Sequence, residues 1–204
     1  MVELGPTKLL AGGQWGMGEF IGAPVSGSVG SLFGPRNPIW TPSGWTSDFH
    51  TGVDIAAPYG TPILCPAEGT VAASYKDTAG GQTVVVRFAD GTGAMFIHME
   101  GLQLPQGMSV RRGDFIGTIG TSGLSTGPHL HFSLLKQVSD GPTWYPRDAF
   151  LDPMLADYRE IFTPEPVPVV TAKDYAILIR SYVDQGVPLP AFASMMDQLI
   201  GMME

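Results

Sequence analysis

The chain has 204 residues, 44% of them hydrophobic and 15% charged, which is enough for one buried core. Its formal net charge of −8 at pH 7 argues against nucleic-acid binding, because phosphates are bound by basic surfaces. A single cysteine, Cys65, excludes an internal disulfide framework and a cysteine-rich metal site, and we expect it to be a small buried side chain. No stretch approaches the ~18 apolar residues of a membrane span.

The beginning of the chain predicts no secretory signal. Residues 1–25 form an irregular, glycine-rich lead-in, in which only a short apolar run precedes Gly12 and Gly13. A secretory signal needs an apolar core of ~7–15 residues. If the protein works outside a cytoplasm, we therefore expect another route of delivery.

Residues 26–153 predict a mainly β domain. The chain contains 27 Gly and 18 Pro residues, neither of which suits a helix interior. Asp90 and Gly91 directly follow one β-prone run and predict a hairpin turn. We expect an antiparallel sheet with a barrel-sandwich-like architecture, built from short runs such as Thr61–Cys65, Gly69–Ser74, Thr83–Phe88, Ala94–His98, Phe115–Ile119 and His129–Leu134.

The remaining residues have a different pattern. Residues 154–170 include the proline-rich sequence FTPEPVPVV and predict a semi-rigid linker. Residues 171–204 predict an amphipathic helical hairpin, because apolar residues recur at helical spacing on both sides of Gly186. Its apolar faces either pack against each other or the main domain, or they dock a protein partner.

The histidines carry the strongest chemical signal. His129 and His131 form an H-x-H pattern, which places both rings on one face of a strand. His50 begins HTGVD, so that Asp54 shares its face at position i+4. Two histidines and one carboxylate with an open fourth position are a catalytic zinc arrangement, in contrast to a closed structural one.

Three segments carry a family resemblance: SLFGPR (31–36), FHTGVDIAAPYGTPILCPAEGTV (49–71) and VRRGDFIGTIGTSGLSTGPHLHF (110–132). They resemble the lysostaphin-type, or LytM-like, zinc metalloendopeptidases, which cleave peptide bonds in bacterial peptidoglycan. The hallmark of that family is H-x-x-x-D, then an isolated histidine, then H-x-H. The resemblance covers residues 26–153.

The resemblance implies a role for each matching residue. His50, Asp54 and His131 would ligate Zn²⁺, while His98 and His129 would stand beside the metal as catalytic residues. One of these two would accept the proton of the attacking water, and the other would stabilise the oxyanion. The sequence leaves open which histidine takes which role.

Several positions depart from the family pattern. Some relatives have a tyrosine before H-x-x-x-D, where this chain has Trp45, and a tyrosine two residues before the isolated histidine, where it has Phe96. An acid commonly stands two residues after H-x-H, where this chain has Ser133. None of these changes removes a predicted ligand or catalytic histidine, so we expect activity.

The resulting hypothesis is a zinc-dependent peptidoglycan endopeptidase that acts on the bacterial cell wall. The absence of a signal suggests a phage product, either associated with the virion tail or released by lysis. The alternative is an inactive peptidoglycan-binding or scaffold module of a virion tail or division complex. Two readings also stay open for the aromatic residues Trp40, Trp45, Trp144 and Tyr145, which either line a substrate groove or cover the core. Asp48 is either an orienting residue at the site or a loop acid.

Overall fold

The computed structural model describes residues 19–20, 24–101 and 104–154. The predicted linker and helical hairpin, and most of the predicted lead-in, lie outside these residues. Within them, the structure is mainly β, as predicted, and its only helix is the 3₁₀ turn Arg147–Ala149. No helix of the described part has the length and hydropathy that a membrane span requires.

The strands of the described residues are mostly short. In chain order they are β1 (Glu19–Phe20), β2 (Gly27–Ser31), β3 (Gly34–Pro35), β4 (Trp40–Thr41), β5 (Gly44–Trp45), β6 (Phe49–His50), β7 (Val53–Ala56), β8 (Pro62–Leu64), β9 (Gly69–Asp77), β10 (Gly81–Phe88), β11 (Gly93–Glu100), β12 (Ser109–Val110), β13 (Phe115–Ile119), β14 (His129–Leu135) and β15 (Phe150–Leu151).

One antiparallel sheet organises the described residues, in the order β1-β2-β7-β14-β11-β10-β9-β12. Strand β13 pairs with β11 and β8, and β15 pairs with β14. The pairs β3-β6 and β4-β5 form two small separate sheets. The predicted hairpin turn joins β10 to β11, and Gly91 adopts a φ of 87°, which glycine tolerates without strain.

The two faces of the sheet have different environments. Leu130 and Phe132 of β14 point into the main apolar core, together with Phe96 of β11. Because side chains alternate along a strand, His129, His131 and Ser133 lie on the opposite face. One face of the sheet thus buries the main core, whereas the other presents these polar groups and also buries a smaller apolar cluster that includes Met95 and Leu135.

Cys65 belongs to the main core, as expected. Its side chain is fully buried and its thiol donates a hydrogen bond to the carbonyl oxygen of Ala67. Burial raises the pKa of the Cys65 thiol to about 12, so the group stays neutral. Cys65 is therefore a structural residue.

Candidate metal centre and catalytic cleft

Three of the predicted site residues converge at one point. His50 Nε2 lies 2.9 Å from Asp54 Oδ1 and 2.9 Å from His131 Nδ1, and His131 Nδ1 lies 3.0 Å from Asp54 Oδ1. Within the described residues, these three are the group whose geometry suits a metal ion. His131 thus forms one compact triangle with His50 and Asp54, which lie 81 and 77 positions earlier in the chain.

Strand register places the triangle. Strands β7 and β14 are antiparallel neighbours, and Asp54 stands directly opposite His131. His50 ends β6, and the chain then turns through Thr51 and Gly52 into β7. A Cβ atom at Gly52 would lie 2.2 Å from the carbonyl oxygen of Phe132, so only glycine allows this turn to approach β14.

The ring nitrogens that face away from the triangle have their own partners. His50 Nδ1 donates to the carbonyl oxygen of Leu32 at 2.7 Å, which leaves a lone pair on Nε2. His131 Nε2 lies 3.0 Å from Ser133 Oγ and 3.3 Å from Thr51 Oγ1, which leaves Nδ1 turned toward Asp54. The carbonyl oxygen of Leu32 sets the tautomer of His50 that metal ligation requires, and the two hydroxyls orient the His131 ring.

The charge states also suit ligation. Burial alone would raise the pKa of Asp54, but close contacts with the rings of His131 and His50 outweigh it and hold that pKa well below its usual value. Burial lowers the pKa of His131, against the opposing influence of Asp54. An ionised carboxylate and a neutral imidazole are the protonation states that bind a metal.

The donor set fits zinc. Two imidazole lone pairs and a carboxylate oxygen face one another at 2.9–3.0 Å. These electron pairs repel one another, and a cation bound between them would remove the repulsion. Ligand atoms ~2.0–2.1 Å from a tetrahedral zinc ion lie ~3.3 Å apart, which is close to the spacing observed. Three protein ligands leave a fourth position open, as in catalytic zinc sites.

His98 reaches the site through an irregularity in β11. The pairing of β10 with β11 shifts between Gln82 and Val84, and His98 adopts a φ of 64°, the one positive value at a non-glycine position among the described residues. Such a bulge redirects a side chain out of the regular alternation. The His98 ring lies 4.9 Å from that of His129 and 5.9 Å from that of His131.

Ser122 fixes the His98 ring. His98 Nδ1 donates to the carbonyl oxygen of Ser122 at 2.7 Å, which leaves Nε2 as the free ring nitrogen. The Ser122 hydroxyl accepts from the N–H of Gln82 and donates to the carbonyl oxygen of Met99. Burial, together with the nearby His131 and His129, lowers the pKa of His98 to about 3, so this ring is neutral at pH 7.

His129 is held in a similar way. Its Nδ1 donates to the carbonyl oxygen of Gly127 at 2.8 Å, and its Nε2 lies 3.6 Å from Asp54 Oδ1. The cleft beside the triangle is lined by His98, His129 and Arg36, among others. The structure therefore brings together all five residues that the sequence singled out.

The sequence model of Peptidase family M23 matches residues 48–142, which contain all of these side chains except Arg36. The chain contains a peptidase family M23 domain. The lysostaphin-type resemblance of the sequence is thereby confirmed.

Known proteins similar to the M23 domain include hydrolases of the cell wall. The peptidoglycan DD-endopeptidase ShyA of Vibrio cholerae serotype O1 is 34% identical over 86 residues, which cover 42% of this chain and 20% of ShyA. The chain spans about a fifth of the length of the curated relatives it matches.

Solved structures support the same fold. The catalytic domain of the antimicrobial peptidase lysostaphin from Staphylococcus simulans is 27% identical with a TM-score of 0.52, covering 62% of this chain and 88% of that one. A zinc containing peptidase from Vibrio cholerae is 25% identical with a TM-score of 0.53, covering 74% of this chain and 46% of that one.

Most of the aromatic residues left open by the sequence are exposed around the M23 site. Trp40 and Trp45 form an edge-to-face pair on the β4-β5 hairpin and are 61% and 64% exposed, while Trp144 is 84% exposed. Trp144 lines a groove of about 610 Å³, which also contains Thr51 from the metal centre. These tryptophans do not cover the core, whereas Tyr145 lines the groove and also packs against a second apolar cluster.

Asp48 takes no part in the M23 site. Its carboxylate pairs with Arg147, and both side chains are exposed. The contact links the segment before β6 to the 3₁₀ turn. Asp48 is therefore a loop acid with a connecting role.

Sequence reasoning missed three residues of the M23 site. Ser122 and Ser133 orient His98 and His131, and Arg36 lies beside Asp54. Arg36 and Ser133 stand in segments that the sequence had marked, in SLFGPR and just after H-x-H. No local pattern distinguishes Ser122, because its function depends on a contact with a residue 24 positions away.

Proposed function

We propose that this protein is a zinc-dependent endopeptidase that hydrolyses peptide bonds of bacterial peptidoglycan. The observation that carries the proposal is the triangle of His50, Asp54 and His131, whose ligand atoms lie 2.9–3.0 Å apart beside a cleft. The similarity to a zinc containing peptidase supports the metal, and the similarity to a peptidoglycan DD-endopeptidase supports the substrate.

In this proposal, His50, Asp54 and His131 hold the ion. When bound, zinc supplies Lewis-acid polarisation of the scissile carbonyl and lowers the pKa of a water molecule from ~15.7 toward ~7. Leu32 keeps the His50 imidazole in the required tautomer, and Ser133 orients the His131 imidazole. The buried position of the triangle limits competing water, which strengthens electrostatic interactions there.

His98 and His129 carry out the proton transfers. Each has its Nδ1 proton committed to a carbonyl oxygen, so its Nε2 is available to the cleft. One of them accepts the proton of the attacking water at Nε2 and returns it to the leaving amine. The other hydrogen-bonds the oxyanion from Nε2 once that nitrogen is also protonated, a contribution typically worth ~3–4 kcal/mol. Burial keeps the His98 ring neutral, which suits it to the accepting role and leaves the donating role to His129.

The wider setting of the enzyme stays a prediction from the sequence. Residues 26–153 would be the catalytic domain and 154–170 a linker, and the helices predicted for 171–204 would either pack against each other or the main domain or dock a protein partner. Delivery to the cell wall by a phage tail, or release by lysis, belongs to the same prediction.

Metal analysis and two histidine variants test the proposal. We expect about one zinc per chain and release of peptides from purified sacculi, followed by mass spectrometry of the fragments. His131→Ala loses both zinc and turnover, because a ligand is removed. His98→Ala keeps zinc but lowers kcat by ~10²–10⁴-fold, because a proton-transfer group is removed.

Chelation provides the control. Removing zinc from the wild type abolishes turnover, and adding zinc restores it. Full activity in metal-free protein would overturn the mechanism, and loss of zinc from His98→Ala would show that a ligand had been assigned wrongly.

A further inference from the structure

Arg36 occupies a position in the cleft that the proposed chemistry does not use. It directly follows β3, and its backbone N–H donates to the carbonyl oxygen of Asp48 at 2.9 Å. Its guanidinium approaches the carboxylate oxygen of Asp54 that the two ligand histidines do not contact, with Nη1 3.8 Å from Asp54 Oδ2. Arg36 lines the same cleft as His98 and His129.

The hydrogen-bonding capacity of Arg36 is largely unused within the described residues. A guanidinium has five N–H donors, and the 3.8 Å separation from Asp54 exceeds hydrogen-bond length. Nε of Arg36 is buried and has no partner there. A buried donor left unsatisfied costs ~1–3 kcal/mol, so its retention points to an acceptor that enters the cleft.

The charge balance of the cleft indicates the kind of acceptor. Asp54 is the only acidic residue among the described residues that line it. The Oδ1 atom of Asp54 faces the histidines, and the guanidinium of Arg36 is always protonated. The combined positive charge of a divalent cation and Arg36 would exceed the single negative charge of Asp54, so the cleft would have a net positive charge. A planar anion suits such a site, because a guanidinium binds carboxylates through two parallel hydrogen bonds.

We propose that Arg36 is a specificity-determining residue that binds a free carboxylate of the peptidoglycan peptide beside the scissile bond. The inference rests on the proposed function and adds a substrate preference to it. Arg36 would select peptides with an ionised carboxylate over the same peptides with a carboxamide. Its position next to Asp54 sets the distance between the anchored carboxylate and the reacting carbonyl.

The test uses cross-linked muropeptide dimers in two forms, as free acids and with their carboxyl groups converted to primary amides. For the wild type we expect kcat/KM to be at least ~10-fold higher for the free acid. Arg36→Gln reduces this ratio to near 1, chiefly by raising KM for the free acid. Arg36→Lys keeps the charge without the fork geometry and gives an intermediate ratio. Arg87→Gln is the matched control, because Arg87 pairs with Asp140 away from the cleft, and it keeps the wild-type ratio.

Zinc content and binding separate this inference from the proposed function. Arg36→Gln should retain zinc, and the His98→Ala protein should bind the free-acid dimer more tightly than the amide even without turnover. If Arg36→Gln keeps the preference, or loses zinc and slows both substrates equally, the inference is overturned. If the wild type cuts neither dimer, the proposed function fails. The ratio of the affinities for the free-acid and amide dimers, compared between proteins with Arg36 and with Arg36→Gln, still decides the role of Arg36.

Discussion

Each histidine of the site is fixed through one ring nitrogen. For His50, His98 and His129 the partner is a backbone carbonyl oxygen, whereas for His131 it is the hydroxyl of Ser133. A backbone carbonyl accepts only, so it dictates the tautomer, but a hydroxyl can donate or accept. His131 is therefore the ligand whose orientation depends most on a replaceable side chain.

Ser133→Ala tests this dependence. We expect zinc affinity to fall by ~10–100-fold, as is typical when an outer partner of a ligand is removed. Turnover at saturating zinc should fall less, because all three ligands remain. Competition with a chromogenic chelator measures the affinity. Ser74→Ala is the matched control, because Ser74 Oγ is buried without a partner among the described residues, and it should leave zinc affinity unchanged. Equal effects of the two substitutions would contradict the role of Ser133.

The residues of the triangle were predictable because part of their information is local. H-x-H and H-x-x-x-D each place two side chains on one face, and a glycine and a short turn complete the geometry. The positions of Arg36 and Ser122 depend on how distant segments pack. The pairing of β3 with β6 places Arg36 in the cleft. Each of these strands has only two residues, which is too short for a sequence pattern to predict the pairing.

At the scale of elements, the bulge in β11 and the loop around Ser122 act as one unit. The backbone of Gly80 accepts from the N–H of His98, and the N–H of Leu124 donates to the carbonyl oxygen of Ala79. The start of β10 and the loop around Ser122 cross at Gly81 and Gly123. A Cβ at Gly123 would lie 2.4 Å from the backbone nitrogen of Gly81. The orientation of the His98 ring thus depends on a contact between two backbone segments.

Gly123→Ala tests this contact. Gly123 has a φ of +75°, so alanine there is strained by ~1–2 kcal/mol, and the clash with fixed backbone adds ~1–3 kcal/mol. A displaced Ser122 carbonyl would misdirect His98, and misplacement by about 1 Å can cost ~10²-fold in rate. We expect a lower melting temperature and a large fall in kcat, with zinc retained. Thermal unfolding, metal analysis and turnover measure these effects.

Gly113→Ala is the matched control for backbone strain. Gly113 has a φ of +86°, but a Cβ there would meet nothing within 4 Å. We expect it to lose only the ~1–2 kcal/mol of left-handed strain and to keep its kcat. If both variants lose activity to the same extent, the crossing of the two segments is not what positions His98.

The longer strands agree closely with the sequence pattern. The predicted runs Thr83–Phe88, Phe115–Ile119 and His129–Leu134 lie within or coincide with β10, β13 and β14. They were predictable because each alternates its side chains or ends at a Gly-containing turn. The bulge at His98 was not predictable, because the sequence around it continues the β pattern. The extra residue becomes evident only from the register of β11 with β10.

In the described molecule as a whole, the candidate metal site lies on the face of the sheet opposite the main core. The main core contains Val25 and Met154 near the two ends of the described residues, together with side chains from most of the long strands. The polar face carries the metal triangle and the 610 Å³ groove. Substitutions of the polar site residues should therefore change activity at little cost in stability, whereas substitutions in either apolar cluster should chiefly lower stability.

Deletion of residues 171–204 tests whether this core suffices for folding. We expect the free energy of unfolding to change by less than ~1 kcal/mol, equivalent to ~2–4 °C in melting temperature, because the described residues up to Met154 supply a core cluster of their own. Hydrolysis of soluble muropeptides should stay within about twofold of the full chain, on the proposal that this segment docks a partner. Deletion of residues 150–204 is the comparison: it removes β15, whose Phe150 and Leu151 pair with Leu135 and Leu134 of β14, and should destabilise the strand that carries His131. If the shorter deletion is as damaging as the longer one, residues 171–204 belong to the fold, since a docking segment would leave the pairing of β14 and β15 intact.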